Sequence, residues 1–389
     1  LSADGHDLRL TAARTGTLAD VAPAGLGGLG AALDSLGQNG SAANALLGRI
    51  DAQSTTEGVE QALRELAPDS GRAAQQAAQV ASAAVFSALG DRMDAARSGA
   101  NVAQGAARGL SAGNGTAGRG WVQGLGAWGE QKARGGANGY DLDAHGLAVG
   151  LESDRSAQEV MGLSFGLNRA NADGTGVGAG DDVRVKAVSL GGYFSRNLPG
   201  MTLDVSALLG HNRYDSRRAI NVGGVTDIAT GDYKGWQLGG QVEAGFPFTL
   251  SPDVSGRWLV GGRANYLSTD GYDERGSSAA LRMGSASARS LQSVLGAELT
   301  RAMSATSAVQ LRARWLHEFA DTPDVNASFV AGGPSFTTPG AQPGRDALQL
   351  GVGWNHQPAR GVTLSVRYDA EVKRAYLAHQ LSARATWSF

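Results

Sequence analysis

The sequence predicts an all-β membrane protein: an antiparallel up-and-down transmembrane β-barrel of about 12 strands, with an N-terminal α-helix in its lumen. Three observations lead there. From residue 119 onward the chain falls into about twelve segments that alternate apolar and polar residues. The connections between them are alternately short and long, and a single Ala- and Gln-rich helical segment precedes the first of them.

The strands come first. Most of the alternating segments run to about 11 to 18 residues, where strands of soluble proteins have a mode of about 5 to 6. In 362–373, Val362, Leu364, Val366, Tyr368, Ala370 and Val372 share one face, opposite Thr363, Ser365, Arg367, Asp369, Glu371 and Lys373. The last segment sets Leu381, Ala383, Ala385, Trp387 and Phe389 against Gln380, Ser382, Arg384, Thr386 and Ser388. In 307–320 the apolar set is Val309, Leu311, Ala313, Trp315 and Phe319, against Gln310, Arg312, Arg314 and Glu318. In 232–248, Trp236, Leu238, Val242, Ala244, Phe246 and Phe248 oppose Gln237, Gln241 and Glu243. Such strands suit lipid on one side and a polar lumen on the other. The segments 119–131 and 186–194 alternate too weakly to assign their faces.

The connections carry independent information. Those at 153–157, 198–200, 249–253, 303–306 and 357–361 are short, and those at 169–181, 215–231, 270–284 and 321–344 are long and rich in Gly and Asp. Outer-membrane barrels show this asymmetry, with the short turns periplasmic. The last hairpin is an exception, with only Arg374 and Ala375 between its strands. An open sheet in lipid would strand backbone N–H and C=O groups at several kcal/mol each, so the sheet must close. A barrel of this size encloses more room than an eight-stranded one and accommodates a helix about 10 Å across.

Ahead of the barrel lie three stretches. Residues 1–70 are rich in Ala, Gly and Leu; Ser54 and Glu57 are spaced as a capping box before a helical face of Val59, Ala62, Leu63 and Leu66, stopped by Pro68. Residues 71–98 contain no proline and place Val85, Phe86, Leu89 and Met93 at helical spacing, with Arg92 and Arg97 toward the end. As one helix they span roughly 40 Å, enough to cross a bilayer core of about 30 Å. The Gln and Arg residues forbid lipid contact, so the helix belongs in the lumen; a surface helix of a soluble domain is the plainer reading if the segment is taken alone. Residues 99–118 read as a flexible Gly/Ala linker.

Composition sets limits. A formal net charge of -2 gives no electrostatic reason to expect nucleic acid as a partner. With 0 Cys, disulfides, thiolate metal sites and a cysteine nucleophile are excluded. Without an initiator Met or an export signal, the chain reads as part of a longer precursor.

Certain motifs resemble those of the autotransporter β-domain of type V secretion: Arg119-Gly120-Trp121-Val122-Gln123-Gly124-Leu125-Gly126 at the start of the barrel, Leu311-Arg312-Ala313-Arg314-Trp315-Leu316-His317-Glu318-Phe319 in the ninth strand, and the terminal Trp387-Ser388-Phe389. The stretches Ala31-Ala32-Leu33-Asp34-Ser35-Leu36 and Ala62-Leu63-Arg64-Glu65-Leu66-Ala67-Pro68 are similar to the region before the barrel in that family, and 5–13 to the last strand of a passenger β-helix. The resemblance implies a division into a passenger C-terminal remnant and junction (1–70), a pore-plugging helix (71–98), a linker (99–118) and the translocator (119–389). It further implies an outer-membrane location, export and surface anchoring of a passenger, an assembly signal at Trp387 and Phe389 read by the barrel-assembly machinery, periplasmic chaperones as partners, and no catalysis by the barrel. Some members cut their helix at an Asn in the lumen; here Asn101, in the linker, is the nearest counterpart and a poor one.

Two other functional classes are compatible with a barrel, an outer-membrane barrel protease or lipase and a diffusion porin. Gly162-Leu163-Ser164-Phe165-Gly166 matches a nucleophile elbow but lies in an alternating strand, not at a strand-turn-helix corner, so Ser164 reads as a small luminal residue. The six His are scattered without carboxylate partners at ligand spacing, so no metal site, catalytic set or cofactor is expected. A porin has no reason to carry a helix and linker ahead of its first strand. The luminal charges Glu243, Glu298, Arg312, Arg314, Arg367, Asp369 and Glu371 are expected to bond one another, water and the helix. Trp258, Tyr266, Trp315, Trp354, Trp387 and Phe389 are expected to face lipid.

Overall fold

The computed structural model describes residues 16–38, 44–68, 70–103, 118–134, 137–156, 158–339 and 344–388. Its helices are α1 (Gly27–Gln38), α2 (Asn44–Asp51), α3 (Thr56–Leu66) and α4 (Ser70–Ala103). The strands are β1 (Gly118–Gln131), β2 (Gly139–Ser156), β3 (Glu159–Thr175), β4 (Asp182–Leu198), β5 (Met201–Val222), β6 (Val225–Ser251), β7 (Val254–Thr269), β8 (Tyr272–Asp273), β9 (Leu281–Met283), β10 (Ala286–Ser304), β11 (Ser307–Glu318), β12 (Val325–Phe329), β13 (Gly332–Thr338), β14 (Asp346–Ala359), β15 (Val362–Lys373) and β16 (Tyr376–Ser388).

Twelve of these strands form one closed antiparallel barrel, each beside its neighbour in the sequence, and β1 completes the ring by pairing with β16 from Arg119 opposite Ser388 to Gln131 opposite Tyr376. Side chains that face outward are the apolar members of each alternating set, among them Leu190, Leu238, Leu311, Val352, Val366 and Leu381, all exposed. Trp258, Tyr266, Trp315, Trp354 and Trp387 share that surface, and Phe389 lies outside the described residues. No helix among the described residues is long and apolar enough to cross a membrane; the barrel crosses with strands.

At one end the strands meet in tight turns, such as the one between β4 and β5, where Gly200 adopts φ +77°. The other end differs from the loops expected there. Residues 169–181 are largely strand, because β3 runs on to Thr175. Residues 215–231 are not a loop but the far half of the longest hairpin, β5–β6, paired out to Val222 opposite Val225. Gly223 and Gly224 join these strands with φ of +63° and +76°, the left-handed pair that a two-residue hairpin turn uses. The two remaining loops contribute β8, β9, β12 and β13, which pair into a separate four-stranded sheet.

This sheet, the β5–β6 tip and α1–α3 bury a second core beyond the barrel rim. Leu29, Leu33 and Leu36 of α1, Leu46 and Ile50 of α2, and Leu63 and Leu66 of α3 meet Ile220, Val222, Leu281, Phe329 and Phe336. The leucines recur at helical spacing, which gives each helix one apolar stripe to bury. The part of 1–70 that is described is thus three helices on the rim; the expected strand at 5–13 lies outside the described residues. The start of α3 also falls one residue later than expected, since Thr55, not Ser54, supplies the cap, its Oγ1 accepting from the Gly58 amide at 3.0 Å.

From the cap, α4 enters the barrel and descends through it. Gln76 Nε2 donates to the Tyr376 hydroxyl at 3.4 Å near the rim, and Arg92 bonds Glu152 near the turn end. The helix continues through residues 99–103, which had been assigned to the linker, while 104–117 lie outside the described residues.

Val352 sits midway along β14 on the lipid face. Val352→Arg should destabilise the folded barrel by about 2–4 kcal/mol in lipid vesicles, the cost of a cation near the bilayer midplane. Urea unfolding of the refolded variant checks this; a shift below about 0.5 kcal/mol would place Val352 away from lipid.

Candidate functional site: a barrel lumen locked onto a helix

The lumen is built from small residues wherever α4 meets the wall. Ala74, Ala77, Ala78, Ala81, Ala84 and Ala88 are buried, and this Ala-rich surface lets the helix lie against β1–β5. The wall answers with glycines. A Cβ on Gly239 would stand 2.6 Å from the Phe86 ring, and one on Gly191 would stand 3.1 Å from Leu89 Cδ1 and 2.4 Å from Ser164 Oγ. Val85, Leu89 and Met93 join Trp121, Leu125 and Tyr193 in a common core, with Phe86 packed at its side. Ser164 is buried on the luminal face of β3, in the wall that Leu89 covers, at no strand-turn-helix corner.

Below this packing the helix carries its charges into matched partners. Arg92 donates through Nε and Nη2 to Glu152, which also accepts from Arg119 and, at 2.8 Å, from the Tyr193 hydroxyl. Tyr193 in turn accepts from Trp121 Nε1 at 3.0 Å. Asp91 stands 2.9 Å from Arg367 and 3.6 Å from Arg312; Asp94 stands 2.6 Å from Arg257. Arg257 also meets Glu298 at 3.0 Å, Arg312 meets Asp369 at 3.0 Å, and Arg314 meets Glu243 at 2.9 Å. These groups are nearly all buried, so each depends on its partner for the solvation that water no longer gives. A belt of ion pairs therefore ties two acidic residues of α4 to β7, β11 and β15, and Arg92 to β2.

Of the residues singled out from sequence, Glu243, Glu298, Arg312, Arg314, Arg367 and Asp369 converge on this belt. Glu371 sits nearer the rim, paired with Lys373 at 2.7 Å. Trp387 faces outward over Gly120, where a Cβ would lie 2.8 Å from its ring. The side chains of Arg97 and Asn101 are outside the described set. The principal anchors not singled out are Asp91, Asp94, Glu152 and Arg257. Asp91 and Asp94 are three apart and so share a helix face, while Glu152 and Arg257 fall on the luminal parity of their strands.

A second lock holds the upper end. Arg218 forks onto Glu274 at 3.1 and 2.7 Å, both fully buried, and donates to the Leu66 and Ala279 carbonyls at 3.1 and 2.9 Å. The last turn of α3 is thereby bolted to the rim. One residue earlier, Glu65 accepts from the Asn221 amide at 3.3 Å, and burial pushes its carboxyl above the ordinary value against that bond. His317 lies 2.9 Å from Asp346, and no group of metal-binding side chains occurs among the described residues.

A closed twelve-stranded barrel with a helix threaded through a polar lumen defines a translocator of the bacterial outer membrane rather than an open pore. Residues 120–369 match the family model described as the autotransporter β-domain, and the chain belongs to that family. The translocator domain of the autotransporter NalP from Neisseria meningitidis has the same fold, at a TM-score of 0.59 and 18% identity over 79% of this chain and 97% of that one. The β-domain of the Bordetella autotransporter BrkA aligns at a TM-score of 0.50 and 22% identity over 70% of this chain and 100% of that one. An extracellular serine protease of Serratia marcescens is 24% identical over 69% of this chain, which spans only 26% of that protein. The chain thus contains the β-domain of an autotransporter, the outer-membrane barrel of that family.

Arg257→Leu leaves Asp94 and Glu298 buried without their cation and should cost about 3–5 kcal/mol, whereas Arg196→Leu, which breaks a half-exposed pair with Glu159, should cost under about 1 kcal/mol. Equal unfolding midpoints for the two variants would contradict the belt.

A pH dependence follows for the cap. Because the folded Glu65 carboxyl holds its proton more tightly than the unfolded one, its contribution favours the cap most below the unfolded value, near 4.5, and declines as pH rises from there through the raised folded value. Amide exchange in α3 should quicken over that window in the native chain and lose the dependence in Glu65→Gln; an unchanged slope would place the titrating group elsewhere.

Proposed function

We propose that α4 remains in the lumen after export as both plug and tether, and that the barrel itself performs no chemistry. The observation that carries this reading is the belt at Asp91 and Asp94, which attaches the helix to β7, β11 and β15 at once. Residues 1–70 then form the junction with the passenger, the luminal helix occupies the segment around 71–98, the chain from there to 118 returns it to β1, and 119–389 form the pore. The small, packed Ser164 supports the absence of an esterase-like site. Trp387 and Phe389 act as the assembly signal for the barrel-assembly machinery, delivered by periplasmic chaperones. The luminal carboxylates and guanidiniums serve structure, and keep the wall polar enough for a polypeptide to slide past before the helix locks. Asn101 is not a site of self-cleavage in this reading. The protease activity of the Serratia relatives belongs to proteins of which this chain matches about a quarter, and is not extended to this passenger.

Removal of residues 1–103 should leave a folded barrel, because its strands pair among themselves, while raising ion conductance and lowering the melting temperature through loss of the helix-to-wall contacts. Planar-bilayer recordings and thermal melts of the two chains test this. Equal conductance would overturn the plug.

A further inference from the structure

The helix does not fill the barrel. Above the ion-pair belt it lies against β1–β5, and the opposite wall, made by β7, β10, β11 and β14–β16, stands away from it. The gap is a void of about 1220 Å³, counted out to open solvent, and it is continuous with a vestibule at the rim because Gln76, Gln79, Ser290, Gln292, Lys373 and Tyr376 line both. Toward the periplasm it ends at the ion-pair belt, where a further void of about 290 Å³ among Asp91, Arg367 and Arg384 shares no lining residue with it. The groove is therefore open toward the cell surface, and the belt lies at its lower end.

One basic residue in this groove is unlike the others. Among the described luminal residues, Arg263 and Arg384 are the two guanidiniums without a carboxylate within 4 Å, and Arg384 still donates to Ser365 Oγ at 3.1 Å and Gln123 Oε1 at 3.4 Å. Among the described residues Arg263 has no hydrogen-bond or ion-pair partner, and its Nε is shielded without an acceptor. The two carboxylates nearest in charge are already engaged, Glu243 by Arg314 at 2.9 Å and Glu371 by Lys373 at 2.7 Å and Gln349 at 3.1 Å. Register places Arg263 directly between Gln241 of β6 and Gln292 of β10, so the three side chains project from one luminal row. Among the described residues neither glutamine side chain has a hydrogen-bond partner, and all three residues line the void. A half-buried guanidinium fork flanked by two amide donors has the geometry for a planar or tetrahedral oxyanion.

We propose that the row Gln241–Arg263–Gln292 is a binding site for a small solute oxyanion, a carboxylate or phosphate, reached from the cell surface along the groove beside α4. Arg263 supplies the charge and the bidentate fork, and the glutamines supply neutral donors on either side. The site is independent of how the passenger is exported.

Inorganic phosphate is a sufficient probe. The whole chain, refolded in neutral detergent, is titrated with phosphate at constant ionic strength against chloride, by calorimetry and by thermal melting. Saturable binding with a rising melting temperature is expected, weakened by about tenfold or more in Arg263→Gln. Gln292→Glu places a carboxylate beside Arg263 and should raise the melting temperature without phosphate while abolishing the response to it, a result that does not depend on Arg263→Gln folding normally. Acetate in place of phosphate distinguishes a general oxyanion site from a phosphate site, and saturable binding of either one that depends on Arg263 supports the proposal. A response equal in all three chains, or none in the native chain with either anion, overturns it.

Discussion

In hydrocarbon a backbone N–H or C=O without a partner costs several kcal/mol, and the pairing of β1 with β16 is what removes the last such edge from this sheet. The rest of the structure follows from that closure. A ring of twelve strands has an inside whether or not anything is put there, and the alternation of each strand divides its residues between lipid and that inside. Leu311 and Trp315 reach the bilayer because Arg312 and Arg314, their chain neighbours, reach the lumen. Closure thus forces a polar surface into a confined space and creates the demand for something to satisfy it.

The helix meets that demand unevenly. Its alanine and leucine face covers β1–β5 by close packing against glycines, and its charged lower turn is held by ion pairs. Burying so many charges gains little net stability, since desolvation offsets most of the attraction. What the pairs supply is position: Asp91 and Asp94 are satisfied at one depth and one rotation of α4, and a slip by a turn takes both carboxylates from their partners and leaves Arg367 without one. Apolar contact sets the side of the barrel on which the helix lies, and charge sets its depth.

This division explains what the sequence disclosed. The alternation of β6, β11, β15 and β16 was legible because their luminal faces carry Gln237, Arg314, Arg367 and Arg384, polar side chains opposite lipid-facing ones. It was faint in β1 and β4 because those strands turn Trp121, Leu125, Val183, Val185 and Tyr193 inward onto the helix, so their luminal faces are not marked out by polar residues. The cap was hidden for another reason. Ile220, Leu281, Phe329 and Phe336 stand singly among Gly, Ser and Asp in what read as loops, and only the fold brings them to the leucines of α1–α3. The partners of Asp91 and Asp94 were unreadable in the same way, since Arg257, Arg312 and Arg367 lie far along the chain and no local period connects them.

The bolt between Arg218, Glu274 and the Leu66 carbonyl has a mechanical meaning. A pull arriving from outside along α1–α3 meets this joint and the cap core before it reaches Ser70 and the helix below. The load is passed sideways into the β5–β6 hairpin, whose long paired strands continue down into the bilayer and resist it in shear across many hydrogen bonds together. Part of such a load is thus taken by the wall before it comes to α4.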